Sequence, residues 1–67
     1  MRIGKIKLVI ALTQKEMTQK QLAELSGLSR STINGIKAGR SCTTETAGRI
    51  AKALGVDVVE ILEEEGD

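Results

Sequence analysis

The sequence contains no phenylalanine, tyrosine or tryptophan among its 67 residues. Its core must therefore be aliphatic, and any contact with nucleic acid must work without aromatic stacking. Proteins that bind single strands or RNA loops usually stack bases on aromatic rings. The missing rings therefore weigh against both of these classes of partner.

Histidine is also absent, and Cys42 is the only cysteine. These counts exclude an intramolecular disulfide and a Cys/His metal site, and they leave no nucleophile–base pair. We therefore expect no catalytic residues, no metal, no cofactor and no enzymatic activity. With no base or second cysteine to support a redox switch, Cys42 is interpreted as a small loop residue. The expected compartment is the reducing cytoplasm.

Long apolar segments are missing as well. Residues 6–12 form an apolar run that is too short for a membrane span and is interrupted by Lys7, so neither a signal peptide nor a membrane contact is expected. A chain of this length predicts one domain, residues 1–67. Such a domain buries only about 60% of its extended-chain surface, so its stability should be modest unless subunits associate.

The net charge of +1 conceals an uneven distribution. Residues 1–52 hold all ten Lys and Arg against three Glu, a net charge of +7, whereas residues 53–67 hold six acidic residues and no basic one. A basic body with an acidic, frayed tail at residues 63–67 is typical of a protein with one region facing phosphate. Solvated charge on small helices would also explain either half alone.

Two helix starts lie close together in the middle of the chain. Thr18 and Gln21 have the spacing of a capping box, and Met17 and Leu22 have that of a hydrophobic staple. The pattern returns eleven residues later, where Ser29 is the candidate cap. The sequence therefore predicts helix 2 at residues 19–26 and helix 3 from residue 30 to about residue 38.

Gly27 lies between these two helices, where a helix ends in a left-handed residue. Leu28 and Ile33 form the staple of the second helix, and Ala23 offers only a methyl group where two helices joined by a short turn would cross. Gly27 therefore predicts a sharp turn.

Three further helices complete the expected fold. Helix 1 is expected over residues 3–15, although residues 6–8 could instead form a short strand. Helix 4 is expected over residues 44–54, and a capping box of Asp57 and Glu60 starts a fifth helix that runs to about Glu64.

Helix 1 has a second apolar stripe besides that of Leu8 and Leu12. Ile3, Ile6 and Ile10 form this stripe, which could be ordinary core or part of a subunit interface.

Residues 19–39 resemble the helix-turn-helix of the Cro and lambda-repressor-like (XRE) family, and the likeness extends over residues 5–62. The matching residues in helices 2 and 3 are Gln19, Leu22, Ala23, Gly27, Leu28, Ser29, Ile33, Ile36 and Gly39; in the next helix they are Thr46, Arg49, Ile50, Ala51, Ala53, Leu54 and Val56. The resemblance implies an all-α fold, a compact five-helix lambda-repressor-like DNA-binding domain with its helix-turn-helix at helices 2 and 3. Its structural residues would be Leu22, Ala23, Gly27, Leu28, Ile33 and Ile36.

Base readout is expected from the outward side of helix 3, because Ile33 and Ile36 point inward. The expected base readers are Arg30, Ser31, Asn34 and Ser29, since Arg pairs with guanine and Asn with adenine in the major groove. Gly35 departs from the family pattern, either to let the backbone approach a thymine methyl or as a tolerated glycine.

Phosphate contacts are expected around helix 3. The helix 2 start offers an anion site. The family's residue at the Gln19 position bridges phosphate and the start of the recognition helix, and Lys37 is basic where the family often has glutamate. The complete expected set is Thr18, Gln19, Lys20, Lys37, Arg40, Ser41, Thr43 and Thr44.

The resemblance implies a sequence-specific regulator of double-stranded DNA, expected to be a repressor that binds a palindromic operator as a homodimer and associates with the nucleoid. The dimer contact could be helix 5, as is common in the family, or the second face of helix 1. The alternative is an antitoxin or adaptor that uses the same fold to bind a protein. No small-molecule ligand is evident.

Overall fold

The computed structural model describes residues 1–63, which form four α-helices and one 3₁₀ turn. The helices are α1 (Lys5–Gln14), α2 (Gln19–Ser26), α3 (Arg30–Lys37) and α4 (Thr44–Leu54), and the 3₁₀ turn is Val58–Glu60. Within the described residues the only β-pairing is an isolated bridge. The all-helical prediction is confirmed, and α2 and α4 have the predicted bounds.

The core is entirely aliphatic, as the missing aromatic residues require. α2 packs against α3 and α4, α4 packs against the 3₁₀ turn, and α1 packs against α3. Of the residues predicted to stabilise the helix-turn-helix, the apolar ones are buried or pack against the buried cluster, whereas Gly27 is exposed in the turn. The buried apolar residues are Ile3, Leu8, Ala11, Leu12, Leu22, Ala23, Ile33, Ile36, Ala47, Ile50, Ala51, Leu54 and Ile61, and Leu28 lies against them.

Helix α1 begins two residues later than predicted, and residues 6–8 are helical rather than a strand. Its two apolar stripes have different environments. Leu8 and Leu12 are buried, whereas Ile6 is 75% exposed and Ile10 is 49% exposed. The second stripe is therefore not core, apart from Ile3, which precedes the helix and is buried. No helix within residues 1–63 has the length and apolar character to cross a bilayer.

The first four residues are held against the end of the described chain. Ile3 and Leu62 form an antiparallel bridge. The Gly4 amide donates to the Ile61 carbonyl at 2.8 Å, and the Glu63 amide donates to the Arg2 carbonyl at 2.9 Å. Ile61 still has helical backbone angles at the end of the 3₁₀ turn, but Leu62 and Glu63 pair with residues 2–3 and do not continue a helix.

The prediction of a fifth α-helix is therefore wrong for the residues described. The Asp57 amide does donate to the Glu60 carboxylate at 3.0 Å, as the capping box predicts, but only a 3₁₀ turn follows. A helix of this length is marginal on its own, so the pairing with residues 2–4 prevails. Glu64, its predicted end, lies outside the described residues, as does the predicted tail apart from Glu63.

Candidate nucleic-acid interface

The start of α2 has the predicted capping box. Thr18 Oγ1 accepts from the Gln21 amide at 3.1 Å, and Gln21 Oε1 accepts from the Thr18 amide at 2.9 Å. The cap fixes where the helix begins. The first amide that donates within the helix is that of Leu22, which bonds to the Thr18 carbonyl at 2.9 Å. The amides of Gln19 and Lys20 precede it and point along the axis toward any anion at this end.

The turn between α2 and α3 is set by Gly27, whose φ of 75° lies in the left-handed region. The amides of Gly27 and Leu28 both donate to the Ala23 carbonyl, at 3.0 and 3.2 Å, and so close the last turn of α2. Ser29 then caps α3, because its Oγ accepts from the Thr32 amide at 3.1 Å. The Ser29 hydroxyl is therefore already engaged within the protein.

Helix α3 separates its inward and outward side chains as the spacing predicts. Ile33 and Ile36 are buried, whereas Arg30, Ser31 and Asn34 are exposed to solvent. We call the outward side of α3 the readout face and define it by residues 30, 31, 34 and 35. Lys37 is half-buried at the edge of the same helix.

Helix α2 is joined to the readout face by a hydrogen bond between side chains. Gln19 Nε2 donates to Asn34 Oδ1 at 2.9 Å. Asn34 keeps its own amide N–H groups for an outside acceptor, and Gln19 keeps one further N–H. The bond therefore connects the anion-binding end of α2 with a side chain predicted to read a base. The resemblance implies a bridge from Gln19 to the start of the recognition helix, and the structure gives its partner as Asn34, in the middle of that helix.

The segment between α3 and α4 carries Arg40 and Ser41, both of which are exposed. The Arg40 amide donates to the Gly35 carbonyl at 3.0 Å, so this segment starts beside the readout face. It is also tied to the start of the chain, since the Cys42 amide donates to the Met1 carbonyl at 2.7 Å. Burial raises the pKa of the Cys42 thiol, an effect that the charge of the Met1 amine partly opposes.

The start of α4 is capped by Thr43, whose Oγ1 accepts from the Thr46 amide at 3.1 Å. Thr44 is exposed in the first helical turn, and so is Glu45, which forms an ion pair with Arg49 at 3.1 Å. This end of α4 therefore offers hydroxyl and amide groups beside a neutralised carboxylate, a less positive site than the start of α2.

The charges around the readout face have one sign. From residue 25 to residue 44 the chain holds Arg30, Lys37 and Arg40 and neither Asp nor Glu. Lys20 adds a further positive charge at the start of α2. A surface of this kind attracts a polyanion, and its exposed guanidinium, hydroxyl and amide groups can hydrogen-bond to base edges or phosphates.

The structure thus brings part of the predicted interface together through the bond of Gln19 to Asn34 and that of Arg40 to Gly35. Gln19, Asn34 and Arg40 lie around one turn of α3, with Arg30 and Ser31 on the same side. The hydroxyls of Thr18, Ser29 and Thr43 all serve as helix caps.

Comparison with protein families places the chain among known folds. The family profile HTH_3, described as helix-turn-helix, matches residues 8–61. No curated protein sequence matches the chain.

Two similar solved structures are restriction-modification controller proteins. C.AhdI from Aeromonas hydrophila is 33% identical, with a TM-score of 0.77, over 84% of this chain and 86% of that chain. C.Esp1396I is 36% identical, with a TM-score of 0.74, over 84% of this chain and 75% of that chain. The resemblance therefore extends over most of all three chains.

The same fold also occurs inside a larger enzyme, hydroxyethylphosphonate dioxygenase. That likeness has a TM-score of 0.85 and covers all of this chain but only 15% of the other, at 24% identity. At this identity it supports the fold alone.

Proposed function

The chain belongs to the XRE-type helix-turn-helix family of DNA-binding transcriptional regulators, and from that premise we propose that it is a repressor. It binds double-stranded DNA sequence-specifically, as a homodimer on an approximately palindromic operator. Two recognition helices α3 would enter successive major grooves about 34 Å apart, and the bound dimer would block transcription. The proposal needs no catalytic residue and no cofactor, and it places the protein in the cytoplasm on DNA.

The observation that carries this proposal is the hydrogen bond from Gln19 to Asn34. A regulator must fix its position on the phosphate backbone and read base edges with the same rigid unit. The bond couples the end of α2, where a phosphate would bind, to the middle of the readout face. Arg30 and Ser31 extend that face toward the start of α3, where base contacts are made in helix-turn-helix docking.

Phosphate contacts in this proposal surround the readout face. Gln19 and Lys20 bind a phosphate at the start of α2, with Thr18 beside them. Lys37, Ser41, Thr43 and Thr44 bind the backbone beyond α3. Because these contacts release counterions, affinity should fall steeply as salt concentration rises.

The homodimer is proposed to use the exposed stripe of α1, which consists of Ile6 and Ile10 from its second apolar stripe together with Val9. Ile6, Val9 and Ile10 are between 44% and 75% exposed. Full burial of such a side chain is worth about 1.5–3 kcal/mol, so half-exposed stripes from two copies would contribute roughly 5–9 kcal/mol. Association costs about 4–15 kcal/mol. The dimer should therefore be weak in free solution and be strengthened by the two half-sites of the operator.

The setting of this regulator is proposed from its solved relatives. Because the chain resembles restriction-modification controller proteins over most of its length, we propose that it controls a restriction-modification system. Its operator should then lie upstream of genes for a restriction enzyme or a modifying methyltransferase.

Selection of binders from a random duplex library tests the function as a whole. We expect an enriched consensus of two inverted half-sites, a footprint over both, and reduced output from a reporter promoter that overlaps the site. A library that yields no enriched duplex at low salt would contradict the proposal, and raised reporter output would contradict the repressor role.

Sedimentation equilibrium tests the interface. Ile6→Lys should weaken self-association and operator binding together. Leu25→Lys is the matched control, because Leu25 is 64% exposed on α2 and lies outside the stripe. Equal effects of the two substitutions would exclude α1 as the contact.

A further inference from the structure

Gly35 is a residue without a side chain in the middle of the readout face, and Arg40 covers it. A methyl group at Gly35 would lie 3.2 Å from Arg40 Cδ and 3.9 Å from both Cγ and Nε. The stem of Arg40 therefore lies against this turn of α3. The Arg40 amide is fixed at the same place by its 3.0 Å hydrogen bond to the Gly35 carbonyl.

The contact of Arg40 with Gly35 lies on the readout face, because Gly35 follows Ser31 by four residues, about one turn of the helix. Residues four apart lie on the same face of a helix, so a side chain at Gly35 would stand in line with Ser31 on the readout face. Arg40 places its stem and Nε in that line from outside the helix.

Within residues 1–63 the Arg40 guanidinium has no carboxylate partner, unlike that of Arg49, which pairs with Glu45. Its donors are therefore available to an external acceptor. Arginine loses considerable side-chain freedom when it is fixed, and here the stem already lies against α3 in the free protein. Because Arg40 Nε would lie only 3.9 Å from a methyl group at Gly35, the guanidinium starts beside the readout face, where its donors can pair in a bidentate manner with a base edge.

We propose that Arg40 reads a base, crossing Gly35 into the major groove and pairing with the O6 and N7 atoms of a guanine. The residue thus supplies the specificity contact that α3 lacks at position 35, and this role replaces the phosphate contact predicted from the sequence. Gly35 is the positioning residue, because its missing side chain makes room for the arginine stem. The inference rests on the proposed DNA-binding function and adds one base position to its specificity.

The test compares four variants with the wild type by library selection, followed by titration of the consensus duplex and its single-base changes. Arg40→Ala should lower affinity for the consensus by about 5- to 150-fold and abolish the guanine preference at one position of each half-site. Arg40→Lys keeps the charge but cannot pair in a bidentate manner, so it should lose the same preference and retain the salt dependence.

Gly35→Ala provides an independent arm, with Gly48→Ala as its matched control. Alanine is the better helix former, so both variants should unfold at the same temperature as the wild type or higher. The added methyl at position 35 must displace Arg40 and should weaken the same guanine preference. At Gly48, in α4, a methyl group meets nothing within 4 Å, so preference should not change.

Three outcomes are decisive against the proposal. A uniform loss on every duplex for Arg40→Ala, with the salt slope reduced by about one, would make Arg40 a phosphate contact. A Gly35→Ala variant with the wild-type consensus would show that the packing has no role in readout. If the wild type itself enriched no duplex, the proposed function would fail, and that result is distinct from the other two.

Discussion

Removal of the hydrogen bond between Gln19 and Asn34 should weaken DNA binding. The losses of binding free energy from substituting the two residues should not be additive. The bond joins two uncharged amides at 2.9 Å. Such a bond contributes about 0.5–1.5 kcal/mol net. In the free protein Asn34 is exposed and Gln19 half-buried, so water competes and we expect a contribution to stability near the lower limit, about 0.5 kcal/mol.

In the complex with DNA, water is excluded from this contact and each amide holds the other in position. The coupling should then rise to about 1–1.5 kcal/mol, roughly a tenfold effect on affinity. Gln19→Ala loses a phosphate contact and also releases Asn34, whereas Asn34→Ala loses a base contact and also releases Gln19. The double variant should therefore lose less than the sum of the two single losses.

A double-mutant cycle measured by titration of a fluorescent operator duplex at fixed salt gives this coupling directly. The matched control is a cycle of Lys20→Ala with Asn34→Ala, because Lys20 is the neighbour of Gln19 and makes no side-chain hydrogen bond in the described part of the chain. That control should be additive within about 0.3–0.5 kcal/mol. If the Gln19 and Asn34 cycle is equally additive, the bond does not couple the two helices on DNA and the main support for the proposed interface is lost.

Three further predictions concern single positions. Arg30→Ala should weaken operator binding by about 1–3 kcal/mol and relax preference at one base, while Lys52→Ala, at an exposed position of α4, should change little. Equal losses for Arg30→Ala on operator and random DNA would remove Arg30 as a base reader. Thr18→Ala should lower the free energy of unfolding by about 1 kcal/mol in urea denaturation. Thr13→Ala should not lower it, because the Thr13 hydroxyl only donates back to Val9 within α1. Equal losses of unfolding free energy in the two variants would argue against the cap. Because burial raises the pKa of the Cys42 thiol, its alkylation should require a higher pH in the native than in the urea-unfolded protein. The same shift makes the native state resist ionisation, so stability should fall as pH rises through the thiol pKa of the unfolded chain; a native alkylation profile at or below the unfolded one would contradict this.

The parts of the fold that could be predicted are those with local signals. Thr18 and Gln21 are three residues apart, and Gly27 ends the same helix, so the start and end of α2 are both encoded within ten residues. The same holds for the inward position of Ile33 and Ile36, which follows from helical spacing. Such signals survive folding because the tertiary packing agrees with them.

The parts that could not be predicted depend on contacts between distant residues. The capping box of Asp57 and Glu60 is present, but the residues that follow pair with residues 2–4. No local sequence pattern predicts this pairing. The contact of Arg40 with Gly35 arises from the path of a long side chain beyond the helix end. The sequence indicates that Gly35 is unusual, yet only the folded structure shows that Arg40 occupies the space beside it.

The bridge between Ile3 and Leu62 has a consequence for biosynthesis. On the ribosome, Ile3 is made almost sixty residues before its partner, so it must wait in contact with water or with the exit tunnel while α1–α4 emerge. The helix-turn-helix can form during this interval from neighbouring segments, but the loop at Cys42 cannot be secured independently of Met1. The pairing of residues 2–4 with residues 61–63 should therefore be the last part of the fold to form, and amide exchange at Gly4 and Glu63 should be the last to become slow.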